Sequence, residues 1–204
     1  ALLSSAGFAP VYRESRWTDP EMQHVRQALD TILSHQEPYP AVVLTRAWDI
    51  VQMNDSAVRL FALLLDASVD PIVMQNVMHA VFHPRGLRPY IANWEQVARM
   101  LIDRLYRESV VEPDRSEARR LLDALREYPS VPSRLAQIDL TSAPKVCITL
   151  QLRKDDLQLE LFTTLTTLGT PMDVTVQELR IESYFPANDE TAHWFAKTGT
   201  AEGN

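Results

Sequence analysis

Between Lys145 and Phe185 the apolar residues of this chain recur at every second position, whereas between Pro20 and Arg126 they recur mostly at three and four. That change of period constrains the fold more than any other feature. Val146, Ile148, Leu150 and Leu152 alternate with Cys147, Thr149 and Gln151. Beyond the charged turn Lys154-Asp155-Asp156 the same pattern continues through Leu157, Leu159, Leu161, Thr163 and Leu165. Two alternating runs across a short polar turn predict an antiparallel hairpin. A third strand, Glu178 to Phe185, places Leu179, Ile181, Ser183 and Phe185 on one face, and Gly169-Thr170-Pro171 marks the turn before it.

The front of the chain predicts one helix and a first hairpin. Thr18 and Glu21 have capping-box spacing, and Met22, Val25, Leu29, Ile32 and Leu33 share a face of a helix from Pro20 to Ser34. Pro38 and Pro40 end it, since each lacks a backbone donor. Ala41 to Thr45 and Trp48 to Gln52 read as short paired strands. Helical spacing then runs from Asn54 or Asp55 through Ala57, Leu60 and Phe61. It continues from Asp70-Pro71 to Phe82, from Pro89 to Arg107, and from Ser116 to Arg126, with a short terminal helix at Thr191 to Phe195. Two strands, a helical insertion and three strands predict an α+β fold. Its sheet has five antiparallel strands, with helices packed on one side and a long helical insertion after the second strand. The organisation expected is a linker and packing helix over residues 1–36, the domain proper over 37–195, and a disordered tail over 196–204.

Composition excludes several functions. With 27 acidic against 20 basic side chains and a net charge of -7, the surface is not built to grip a phosphate backbone. The single cysteine, Cys147, leaves no disulfide framework or cysteine-rich zinc site and points to the cytoplasm. The apolar run near Leu60 to Leu65 is far below the roughly twenty residues of a membrane helix, so no membrane insertion is expected. Five glycines form no phosphate-cradling loop, and no GxSxG elbow is present. His79 and His83 have helical spacing but no HExxH pattern, and Pro84 ends the helix beside them, so they read as packing residues rather than metal ligands. Without a reactive constellation, no catalytic residue and no metal is expected.

What the chain concentrates is adaptable apolar side chains. Met74, Met78, Phe82 and Trp94 sit near helix ends, Leu101 continues the stripe of the long helix, Trp48 opens a strand, and Phe162 lies on the strand face opposite Leu161. Methionine accommodates a ligand of imprecise shape because its side chain is flexible and polarisable. The same stripe is also what a solid core requires, and both readings stay open on periodicity alone. For an acidic ligand head, Arg88 or Arg99 is the candidate clamp, and Asn54 or Asn93 could orient it.

Four blocks carry a family resemblance: GFAPVY (Gly7 to Tyr12), EPYPAVVLTRAWDIVQMNDSAVRLF (Glu37 to Phe61), VFHPRGLRPYIANWEQVA (Val81 to Ala98) and TLTTLGTPMDVTVQELRIESYFPAN (Thr164 to Asn188). In order and spacing they resemble the C-terminal ligand-binding domain of MmyB-like, helix-turn-helix XRE-family transcription regulators. Trp48 and Asn54 match its W…N signature, and His83-Pro84, Leu87-Arg88-Pro89 and Asn93-Trp94-Glu95 match its HPxGLRP…NWE block; Arg85 departs from the acidic residue common there. The resemblance implies a PAS-like domain that senses an apolar small molecule, with a fatty-acid or similar lipid-like ligand as the favoured class and no other cofactor. It also implies that DNA is bound through an N-terminal helix-turn-helix outside these residues. A ligand-free dimerisation module, giving a homodimer, is the competing reading.

Overall fold

Two strands from the front of the chain and three from its back close into one sheet. The computed structural model describes residues 20–66, 68–111, 117–129, 131, 148–168 and 179–200. Strands β1 (Ala41–Leu44), β2 (Ile50–Met53), β3 (Leu150–Lys154), β4 (Leu157–Thr166) and β5 (Arg180–Pro186) are arranged β2-β1-β5-β4-β3, with every neighbouring pair antiparallel. The last strand is thereby the middle one, which makes the two ends of the sequence interdependent. The predicted cap at Thr18, the alternation at Val146 and Cys147, and the Gly169-Thr170-Pro171 turn lie outside the described residues.

Among the described residues the helices are α1 (Gln23–Gln36), α2 (Asp55–Leu64), α3 (Pro71–Gln75), α4 (Val77–Phe82), α5 (Trp94–Val111), α6 (Glu117–Arg126) and, after β5, α7 (Asp189–Thr200). The insertion α2 to α6 packs on one face, where Val42, Leu44, Leu159 and Leu161 meet Leu60, Phe61, Met78, Phe82, Ile102 and Leu105. Helix α1 covers a strip of the other face, with Leu29 and Leu33 against Ala41, Val43 and Ile181. Side chains of β1 therefore divide, in strict alternation, between two cores.

Three boundaries differ from the sequence expectation, each for a tertiary reason. The helical run predicted from Asp70 to Phe82 breaks at Asn76, whose backbone is extended (φ -140, ψ 123). Its side chain caps α4 by accepting from the amides of Met78 and His79, and donates to Ala47 O at 2.9 Å and Asp49 Oδ1 at 2.8 Å. One amide thus ties the helical insertion to the β1–β2 turn. The long helix starts at Trp94 rather than Pro89, because residues 91–93 are engaged by β3. Ile91 bridges Leu152, Ala92 N donates to Gln151 O at 2.8 Å, and Asn93 bonds both Thr149 O and Gln151 N. Helix α7 runs on to Thr200 instead of ending at Phe195, and Phe195, 2% exposed, anchors it edge-on to Tyr39.

Helix α5 crosses the sheet diagonally. Its first residue adjoins the β3 edge, and Glu108 near its end reaches Arg180 of β5 and Trp48 of the β1–β2 turn. At 1.5 Å per residue the 18 residues of α5 span about 27 Å.

Candidate effector site

The residues at the start of α5 form an apolar wall with one unmatched donor. Trp94 donates its Nε1–H to Val81 O at 3.1 Å, which fixes the ring, and Phe82 meets it edge-on at 5.9 Å. The guanidinium of Arg88, in a 3-10 turn over Arg88–Tyr90, lies 4.4 Å above the centre of the Trp94 ring. Its Nε is buried and has no hydrogen-bond partner among the described residues. A buried donor left unmatched costs about 1–3 kcal/mol, so such a group asks for an acceptor.

At the other end of α5 lies a charged node around Trp48. This residue is 1% exposed and adopts a left-handed backbone, φ 68, rather than opening β2 as the sequence suggested. Because a bulky side chain there crowds its own carbonyl, the conformation costs about 1–2 kcal/mol. The surroundings impose it: Trp48 O accepts from Val77 N at 3.0 Å, and the indole Nε1–H donates to Glu108 Oε2 at 3.4 Å. The guanidiniums of Arg104 and Arg180 lie 5.0 and 5.4 Å from the ring centre. Both also reach Glu108 Oε1, at 3.1 and 2.9 Å.

Beside that node, β5 carries a buried carboxyl that sequence reasoning missed. The apolar parity of the strand, Leu179 and Ile181, packs beneath α1, so Arg180, Glu182 and Tyr184 face the helical insertion. Glu182 is 8% exposed; the hydroxyls of Tyr184 and Thr163 neighbour its carboxyl, and among the described residues its Oε2 has no hydrogen-bond partner. Burial raises the Glu182 carboxyl above its ordinary value of 4.5, against the pull of those hydroxyls and of Arg104. Burial, followed by the Glu182 charge, raises the Tyr184 phenol well above 10.0. A carboxyl whose pKa rises on folding contributes stability that is complete below its unfolded value and is lost as pH climbs through its folded value. Glu182→Gln does not titrate. It is therefore expected to gain stability relative to the parent chain as pH rises from about 4 to about 8, read by urea unfolding at each pH. A constant difference across that range would contradict the assignment.

The structure brings Met78, Phe82, Trp94, Leu101 and Trp48 into the same core, all buried. It does not bring in two others. Met74 is 40% exposed on α3, because the break at Asn76 turns that short helix outward. Phe162 points away from the helical insertion and stacks at 5.3 Å on Phe185, its cross-strand partner, on the other face of the sheet. Asn54 is engaged with backbone. It accepts from Ala41 N and Ala57 N and donates to Tyr39 O and Leu33 O, which fills both lone pairs and both N–H groups. Arg99 is exposed. The Nδ1 atoms of the two helically spaced histidines have protein partners: His79 Nδ1 is 2.7 Å from the Tyr128 hydroxyl, and His83 Nδ1 accepts from Arg85 N at 3.1 Å. A groove of about 200 Å³ opens elsewhere, between α2 and α7, lined by Ser56, Arg59, Leu63, Trp194, Phe195 and Thr198.

The strand order and the helices that interrupt it define a PAS-like α+β fold. The chain belongs to the family described as MmyB-like transcription regulator ligand binding domain, whose model matches residues 25–197. It is a regulatory rather than an enzymatic domain. Among solved structures, the PAS domain from Bordetella pertussis BvgS is similar at 11% identity and a TM-score of 0.33, over 87% of this chain and 99% of that one. No protein of curated function matches the chain. No helix among the described residues is long and apolar enough to cross a membrane.

Proposed function

We propose that the domain senses an apolar small molecule of the fatty-acid class, bound between the inner face of the sheet and helices α4 and α5, within a transcription regulator that contacts DNA through another domain. The observation that carries the reading is the buried Arg88 Nε without a partner, held over Trp94 at the mouth of an apolar wall. A carboxylate head supplies the acceptor that this donor lacks, in the charge-assisted form that binds most strongly. The acyl chain then lies along Phe82, Met78 and Leu101. These side chains belong to one packed core, so entry requires it to repack, which methionine does at little cost. The signal follows from differential affinity for two packings, since equal affinity for both shifts nothing.

Native mass spectrometry of gently purified protein, followed by solvent extraction, tests the class of ligand directly. Arg88→Gln is expected to weaken binding of hexadecanoic acid at least tenfold with little change in stability. Arg88→Lys should recover only part of it, because a point charge lacks the planar fork. An empty protein that also fails to bind a panel of acyl chains would overturn the proposal.

A further inference from the structure

The charge-dense end of α5 has its own unmatched group. Glu182 is more than nine-tenths buried, and among the described residues one of its two oxygens has no partner. It faces the same helical insertion as the wall around Trp94, separated from it along α5. Arg104, the α5 residue that acts on Glu182, is ten positions beyond Trp94, a rise of about 15 Å. The two unmatched atoms are chemical opposites: a donor at Arg88 and an acceptor at Glu182.

We propose that Glu182 is a specificity-determining residue of the effector site and accepts a hydrogen bond from a hydroxyl group at the far end of the effector chain. The inference rests on the acyl-chain reading above and adds the chemistry of the second terminus. Three properties of the surroundings select a hydroxyl. A second carboxylate beside the ionised form of Glu182 would set like charges and oxygen acceptors against one another in a buried place. An ammonium would enter a space already flanked by the guanidiniums of Arg104 and Arg180, both engaged by Glu108. A hydroxyl is neutral and both donates and accepts, so it satisfies this carboxyl whether or not it carries a proton. Glu182 thereby also sets direction, because it rejects the acid end of the chain and leaves that end to Arg88.

Isothermal titration of the 204-residue chain with hexadecanoic acid and with ω-hydroxyhexadecanoic acid tests this. The wild-type chain is expected to bind the hydroxylated acid about tenfold more tightly than the parent acid. Glu182→Gln, which keeps an acceptor oxygen, should retain part of that preference. Glu182→Leu should reverse it, since the hydroxyl then meets an apolar wall. Equal binding of the two acids by wild type, or a preference that survives in Glu182→Leu, would overturn the role of Glu182 while leaving the acyl-chain site standing. Failure of both acids to bind would overturn both readings. The wild-type comparison decides the matter even where Glu182→Leu does not fold.

Discussion

Asn54→Ala is expected to lower the stability of the domain by about 3–5 kcal/mol, a large part of what a domain of this size possesses. The substitution removes the α2 cap, worth about 1 kcal/mol. It also strips the acceptor from Ala41 N at the start of β1 and the donors from Tyr39 O and Leu33 O. Asn54 is 6% exposed, so water does not readily replace these partners, and each buried group left unmatched costs about 1–3 kcal/mol. Two further variants separate the contributions. Asn54→Ser keeps the cap alone and should recover about 1 kcal/mol. Asn54→Asp keeps the acceptor but turns a carboxylate toward two carbonyls, and should remain well below wild type. Urea unfolding with a common m-value gives all three figures; a loss under about 1 kcal/mol for alanine would show that the strands and helices around Asn54 do not depend on it.

Trp48→Ala should cost about 3–5 kcal/mol, the usual toll for emptying a large aromatic site in a core. Here the loss has an electrostatic companion, for the indole separates two guanidiniums from the apolar interior and gives Glu108 one of its hydrogen bonds. Alanine does not relieve the left-handed backbone either, since it still carries a β-carbon. Trp48→Phe keeps a ring face and loses only a long hydrogen bond of 3.4 Å, and is expected to cost about 1 kcal/mol. Thermal unfolding distinguishes the two, with alanine shifting the midpoint by several degrees more. Equal losses for phenylalanine and alanine would assign the effect to the indole N–H rather than to the ring.

These two residues also mark what can be read from the sequence. Asn54 is legible as a helix start because capping is local, and only its reach to Ala41 and Leu33 depends on the folded sheet. The alternation in β4 is legible because Leu159 and Leu161 pack against the insertion while Gln158 and Glu160 do not. On β5 the same rule identifies the strand and the apolar parity but not which core that parity enters. Ile181 goes beneath α1, and the polar parity of Arg180 and Glu182 turns toward α5. Period-two patterning carries no information about which side of a sheet a helix will cover. Likewise the start of α5 and the break at Asn76 are set by partners 58 and 27 residues away, at Gln151 and Asp49, and local propensity has no access to them. The left-handed backbone of Trp48 is of the same kind, since nothing in its own side chain favours it.

The alternation in β1 has one more consequence. Val42 and Leu44 belong to the core under the helical insertion, whereas Ala41 and Val43 belong to the core under α1. The two compartments share a partition one backbone thick, and β5 continues it with Glu182 on one side and Ile181 on the other. Close-packed interiors are nearly incompressible. On the proposed reading, volume added on the insertion side would press the partition toward α1, the helix packed on its far side.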